Sequence, residues 1–161
     1  MPENPQLVVN PDKCTGCRAC EPACSFEHYE EFNPQKSAVR VSIFTNDCFF
    51  LPVVCLQCKD AACVAVCPSG AMHVDAVNGE YAVLVDRERC VGCHMCVLAC
   101  PFGCVEDDGA NSVRKCDLCG GDPACVKACA TKALDYASVN TVTSARRKTL
   151  AERMRFEEGG R

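Results

Sequence analysis

Short apolar runs, none near 20 residues long, alternate with cysteine-bearing polar loops along the chain. Leu7-Val-Val and Val83-Leu-Val read as short strands, and each runs through a polar turn into a cysteine loop. Between the second and third cysteine groups, residues 72–77 and 80–85 alternate on either side of Asn78-Gly79, which predicts a two-stranded ribbon. Residues 39–44 alternate like a strand, whereas the run over 49–54 carries Pro52 and is confined to a sheet edge or an extended approach. From 144 to 158 the pattern changes. Leu150 and Met154 lie four apart among Arg146, Arg147, Lys148, Glu152, Arg153 and Arg155, predicting a charged helix with a narrow apolar stripe that is either solvated or docks on a partner.

Two segments recur. Leu7 through Cys14-Thr-Gly-Cys17-Arg-Ala-Cys20 returns as Val83 through Cys90-Val-Gly-Cys93-His-Met-Cys96, and Ala62-Cys63-Val-Ala-Val-Cys67 returns as Ala124-Cys125-Val-Lys-Ala-Cys129. The pattern is that of a duplication. Composition then explains why the apolar runs are so short: 18 of 161 residues are cysteine, and without them the apolar share drops from 48% to roughly 37%, with no Trp. Hydrophobic burial alone is thin for this length. Disulfides, zinc or iron–sulfur clusters must supplement it.

The N-terminal residues show neither a basic region nor an apolar segment of the secretory kind, so a cytoplasmic location is expected, where thiolate–metal ligation is favoured over disulfides. No apolar run predicts a membrane span. Spacing favours clusters over zinc. The groups are Cys14, Cys17, Cys20, Cys24; Cys55, Cys58, Cys63, Cys67; Cys90, Cys93, Cys96, Cys100; and Cys116, Cys119, Cys125, Cys129, which use sixteen of the eighteen cysteines. The first and third are bacterial ferredoxin runs, in which three closely spaced thiolates wrap one cubane and the fourth reaches a neighbouring cluster. Gly16 and Gly92 are expected to permit the close approach of backbone to cluster. Zinc needs one tetrahedron, usually from two separated hooks, and fits four cysteines in eleven residues poorly.

On these four groups the chain resembles, over roughly residues 5–140, the four-cluster iron–sulfur subunits that accompany molybdopterin and tungstopterin oxidoreductases such as dimethyl sulfoxide reductase and formate dehydrogenase. The resemblance implies an α+β fold of tandem bacterial-ferredoxin-like modules. An outer module would span 1–47 plus 109–140, an inner module 48–108, and a charged helical tail 141–161. It also implies four [4Fe–4S] clusters. Cluster 1 would be held by Cys14, Cys17, Cys20 and Cys129; cluster 2 by Cys24, Cys116, Cys119 and Cys125; cluster 3 by Cys55, Cys58, Cys63 and Cys100; and cluster 4 by Cys67, Cys90, Cys93 and Cys96. The hairpin signal and the prolines after Cys67 and Cys100 agree with the inner pairing. Only five residues separate Cys119 from Cys125, so any docking surface that larger relatives build there is missing.

Cys24-Ser-Phe-Glu-His28, Phe32-Asn-Pro34-Gln-Lys-Ser37 and Val39-Arg-Val41 look like the small iron–sulfur proteins of tungsten-dependent aldehyde oxidoreductases. That resemblance implies a tungsten or molybdenum pterin catalytic subunit as partner and a ferredoxin, a flavoprotein or a second copy of the chain, joined through its modules or tail, at the far end. Alternatives are a free polyferredoxin, an assembly protein, or the iron–sulfur subunit of a hydrogenase, formate dehydrogenase or carbon monoxide dehydrogenase.

The remaining candidates are read as structural. Cys48 and Cys104 are expected to be buried packing cysteines, Met95 to pack, His28 and His73 to be structural or solvent-facing, and His94 to be a bystander beside its cluster. Lys13, Arg18, Lys59 and Lys115 flank ligands and would either raise nearby potentials through their charge or serve only as surface residues. The sequence shows no phosphate loop and no nucleophile–base set, so no catalysis by the chain itself is expected. Four oxidised clusters with their sixteen thiolates would take the formal charge from −4 to about −12, which argues against nucleic acid. The reading is an electron-transfer subunit rather than an enzyme.

Overall fold

The computed structural model describes the backbone of residues 5–158, and the side chains of all of these except 139, 146, 150 and 152–158. Its strands are β1 (Pro5–Val9), β2 (Arg40–Phe44), β3 (Phe49–Val53), β4 (Met72–Val77), β5 (Glu80–Val85), β6 (Val105–Asp107), β7 (Val113–Lys115) and β8 (Leu134–Ser138). The helices are α1 (Cys20–Tyr29), α2 (Ala62–Ala65), α3 (Met95–Ala99), α4 (Ala124–Lys127) and α5 (Val139–Glu158). The strands form four antiparallel pairs, β1 with β8, β2 with β3, β4 with β5 and β6 with β7. Among the described residues no helix is long and apolar enough to cross a membrane.

The Asn78-Gly79 signal forms the expected hairpin. Both residues take positive φ, 52° and 83°, as a two-residue loop matching strand twist requires, and Val77 faces Glu80 across it. Pro52 lies opposite Val41 in the β2–β3 pair, where both strands are edges and its missing N–H costs no ladder bond. β1 and β8 reproduce the β4–β5 arrangement from opposite ends of the chain. Val9 pairs with Leu134 as Val85 pairs with Met72, and the next N–H continues each ladder, Asn10 to Ala133 O at 2.8 Å and Asp86 to Ala71 O at 2.9 Å.

Two hydrophobic clusters result. The outer one gathers Leu7, Cys20, Cys24, Val39, Val54, Ala82, Leu118, Cys125 and Leu134; the inner one gathers Ala61, Cys63, Met72, Val83, Cys96, Val105 and Val113. Successive residues of a strand point to opposite faces, so β5 separates the two: Ala82 faces the outer cluster and Val83 the inner. α1 packs on α4 and α2 on α3, one helix pair beside each cluster.

Four details differ from the sequence reading. The β6–β7 hairpin crosses the expected 108/109 boundary, because its three-residue strands are too short to carry an alternation signal. The terminal helix begins at Val139 rather than near 144, directly after β8, while the stripe of Leu150 and Met154 lies outside the described side chains. Cys48 is exposed rather than buried, since it sits with φ +48° at the tip of the β2–β3 pair, where Phe44 and Phe49 are exposed too. Met95 likewise is exposed at the start of α3.

Candidate metal centres

All eighteen cysteines are free thiols. The short helices carry them at four-residue spacing: α1 holds Cys20 and Cys24, α2 holds Cys63 with Cys67 just beyond, α3 holds Cys96 with Cys100 as its C-cap, and α4 holds Cys125 with Cys129 just beyond. One turn of helix separates the two thiols of each pair, so a single helix serves two adjacent sites.

Three small cavities are each lined by a quartet of ligand-group cysteines drawn from two groups, the first with Cys104 beside them. One is lined by Cys55, Cys58, Cys63 and Cys100, a second by Cys67, Cys90, Cys93 and Cys96, and a third by Cys24, Cys116, Cys119 and Cys125. The remaining four are Cys14, Cys17, Cys20 and Cys129. Cys20 is buried within electrostatic reach of Cys17 and Cys129, with Cys17 exposed and Cys14 half-buried. Further neighbours join the sets in a line: Cys20 and Cys24 both act on Cys125, and Cys55 acts on Cys116.

The last cysteine of every group accepts a backbone N–H. Ala38 donates to Cys24 at 3.4 Å, Met72 to Cys67 at 3.3 Å, Cys104 to Cys100 at 3.4 Å, and Ala133 and Leu134 to Cys129 at 3.2 and 3.5 Å. Burial pushes the Cys67 and Cys129 thiols up, but these N–H groups, together with the hydroxyls of Ser69 and Thr131, outweigh it and leave both below the ordinary thiol range. Elsewhere burial wins. Cys20 rises to about 12, through burial and then the Glu21 carboxylate; Cys125 rises to about 12 and Cys119 to about 11, and Cys116, Cys63 and Cys96 also rise. Four thiolates crowded into one poorly hydrated pocket repel one another unless multivalent cations sit among them. An all-sulfur donor set in groups of four, with N–H groups aimed at sulfur, fits an iron–sulfur cluster.

Several side chains beside the sets have roles that the sequence pattern does not reveal. Gly16 and Gly92 take positive φ, and protein approaches each closely: a Cβ would lie 2.5 Å from the Phe50 ring at Gly16 and 2.5 Å from Asn111 Oδ1 at Gly92. His28 is not merely solvent-facing, since its Nε2 lies 3.6 Å from Cys119 Sγ and 3.4 Å from Asp117 Oδ1. His94 lines the Cys67, Cys90, Cys93 and Cys96 cavity, with Nε2 3.4 Å from Asp107 Oδ1, and His73 bonds Ala71 O at 3.0 Å. Cys104 is buried as expected, lines the same cavity as Cys55 and Cys100, and is pushed up to about 12 by burial. Glu21, Gln57 and Glu106 escaped the sequence reading. Glu21 is 1% exposed between Cys20 and Cys24, paired with Arg18 at 2.6 Å and accepting the Val41 N–H at 2.8 Å. Burial pushes the Glu106 carboxyl up, but bonds from Arg40 and Arg114 outweigh it and hold it below the usual range. A buried polar residue within a cysteine loop has no periodic signature, so only the folded contacts reveal it.

Residues 46–139 and 13–72 each match a family model described as a 4Fe-4S dicluster domain, and two such domains correspond to four [4Fe–4S] clusters. The chain is 45% identical over 76% of its length, and 70% of the relative's, to the polyferredoxin-like subunit of the aliphatic sulfonate oxidoreductase of Pyrococcus furiosus. It is 36% identical to the electron transport protein HydN of Escherichia coli K12, covering 80% of this chain and 85% of that one. With the B subunit of anaerobic dimethyl sulfoxide reductase from the same organism it shares 32% identity, over 83% of this protein and 73% of that one. Among solved structures, a chain of the active-site complex BamBC of benzoyl coenzyme A reductase with benzoyl-CoA superposes with a TM-score of 0.50 at 25% identity, covering 92% of this chain and 89% of that one.

Proposed function

The chain belongs to the 4Fe-4S dicluster family of electron-transfer iron–sulfur proteins, and from that premise we propose that it relays single electrons between a tungsten or molybdenum pterin oxidoreductase subunit and a second redox partner. It is an iron–sulfur subunit of an oxidoreductase complex rather than a catalyst. Its two ferredoxin-like modules are centred on the outer and inner hydrophobic clusters, and their equal strand registers and fourth-cysteine hydrogen bonds support a duplication.

One observation carries the reading: the cysteine quartets gathered around the cavities take three thiols from one group and one from another. We assign Cys14, Cys17, Cys20 and Cys129 to cluster 1; Cys24, Cys116, Cys119 and Cys125 to cluster 2; Cys55, Cys58, Cys63 and Cys100 to cluster 3; and Cys67, Cys90, Cys93 and Cys96 to cluster 4. Helices α1 and α4 each bridge the first two sets, and α2 and α3 the last two. Cys55 beside Cys116 joins the middle pair. The order is therefore 1, 2, 3, 4, with sets 1 and 4 at the ends.

When bound, each [4Fe–4S] cluster supplies reversible one-electron exchange. The chain's residues do the rest. Sixteen thiolates hold the irons, backbone N–H groups stabilise negative charge on sulfur, and buried positions such as Leu118 and Val83 keep water from the middle of the row. A catalytic partner that oxidises aldehydes to acids, or runs the reverse, would pass electrons to one end, with a ferredoxin, a flavoprotein or a second copy of this chain at the other, in the cytoplasm.

Anaerobic purification with metal analysis tests this. Iron and acid-labile sulfide of about 16 each per chain, together with a co-purifying large subunit that contains tungsten or molybdenum, are the expected results. Iron near eight, or stoichiometric zinc, overturns the four-cluster assignment; a chain that purifies alone and serves unrelated enzymes is a free polyferredoxin.

A further inference from the structure

Lys115 stands where sets 2 and 3 meet. It closes β7 immediately before Cys116, lines the cavity of Cys55, Cys58, Cys63 and Cys100, and is half-buried. Its ammonium donates to three oxygens, Gln57 Oε1 at 3.1 Å, Val83 O at 2.5 Å and Cys116 O at 2.9 Å. Three donors are thus matched by three acceptors, all of them neutral.

Gln57 completes the junction. It lies between Cys55 and Cys58, is 1% exposed, and has a positive φ of 47°. Its Nε2 donates to Cys116 O at 2.9 Å, and its Oε1 accepts from the Val83 N–H at 2.9 Å as well as from Lys115. The loop that holds set 3 is therefore tied, through one amide and one ammonium, to the residue that opens the fourth cysteine group.

Several other cations of the fold are paired with carboxylates: Arg18 with Glu21, Arg40 and Arg114 with Glu106, Arg87 with Asp108, Lys36 with Glu31 and Lys127 with Asp122. Among the described residues Lys115 has no carboxylate partner. A half-buried ammonium without an anion is costly, unless anions lie within reach by another route. Cysteine sulfurs supply that route. Lys115 lines the cavity of Cys55, Cys58, Cys63 and Cys100 of set 3 and is bonded to the carbonyl of Cys116 of set 2, so it stands beside the sulfurs of both. A cysteine-ligated cluster is anionic, and reduction adds one further negative charge with no bond made or broken.

Resting on the four-set assignment above, we propose that Lys115 is the shared counter-ion of clusters 2 and 3, held by Gln57 so that one positive charge raises the reduction potential of both central clusters together. Electrons then rest preferentially in the middle of the row, and the two halves are electrically joined by a residue that ligates nothing.

The test is an EPR-monitored redox titration of the anaerobically purified holoprotein. Signals are assigned by Cys63→Ser and Cys116→Ser, each of which perturbs one cluster. Lys115→Met keeps the aliphatic stem and removes the charge; it should move the Cys63- and Cys116-assigned signals to lower potential and leave the other two in place. Gln57→Glu leaves the lysine and supplies a carboxylate within reach, so it should move the same two signals in the same direction. This second variant covers the case in which Lys115→Met fails to assemble. Central potentials unchanged in assembled variants, or all four shifted alike, would overturn the proposal and leave the four-cluster reading intact. Wild-type iron near eight per chain would overturn both.

Discussion

The inner and outer halves carry strand pairs of the same register on differently connected chain. In the inner half the strand after Cys67 turns at Asn78-Gly79 and leads straight to Cys90; in the outer half the strand leading to Cys14 must find the strand after Cys129. Register, ladder bonds and the N–H groups on Cys67 and Cys129 are the same in both. The local geometry is therefore a property of the repeated segments, while connectivity decides how it is reached. Each doubling of a closed loop costs about 0.6 kcal/mol, so pairing residue 9 with residue 134 carries several such increments that a two-residue turn avoids. In the proposed sets, metal ligation by Cys14, Cys17 and Cys20 with Cys129 would join the same two ends of the chain and so couple cluster assembly to closure of the outer half.

The largest expected effect separates the halves outright. Deleting residues 1–9 removes β1 and should halve iron content, to about 8 per chain, with loss of the signals of clusters 1 and 2 and retention of 3 and 4. Iron near zero would show instead that the inner half cannot stand without its partner.

Core substitutions probe the same contrast more gently. Leu134→Ala in the outer cluster should cost about 2–5 kcal/mol and release outer-half iron first on heating, followed by cluster absorbance. Val83→Ala, on the inner face of β5, removes less volume and should show the opposite order of release. At the hairpin, Gly79 has open space around it but φ +83°, so Gly79→Ala tests backbone strain alone and should cost about 1–2 kcal/mol, confined to the inner half.

The smallest effect concerns the link between halves, where Glu106 takes Arg40 at 2.8 Å together with Arg114. The Glu106 carboxyl is held below its ordinary value of 4.5, so its stabilisation is complete above that pH and is lost as pH falls through the lower folded value. Glu106→Gln should therefore cost about 0.5–1 kcal/mol at neutral pH, and the gap to wild type should close on acidification below about pH 4.5. A gap that widens in acid would contradict the assigned charge.

Much of this was legible beforehand. The Asn78-Gly79 hairpin and the edge strand with Pro52 follow from strong local signals, and the grouping of cysteines around three cavities is the one that the resemblance to the four-cluster subunits implies. The β6–β7 hairpin was not legible, because three residues show no period, and the exposure of Cys48 depends on how far its strand pair projects. His28 beside Cys119 and Gln57 beneath Cys116 are separated from their partners by 91 and 59 residues, a distance at which spacing says nothing.

The sequence by itself pointed to the chemistry: sixteen cysteines in four compact groups, two of them at ferredoxin spacing, in a chain with little apolar surface, favour cluster ligation as the organising interaction. Tertiary structure alone decided the electrostatics. Which carboxylates neutralise Arg18 and Arg40, and why Lys115 is left with neutral partners between two cysteine sets, depend on contacts across the fold, where burial weakens screening and a few ångströms fix how strongly one charge acts on another.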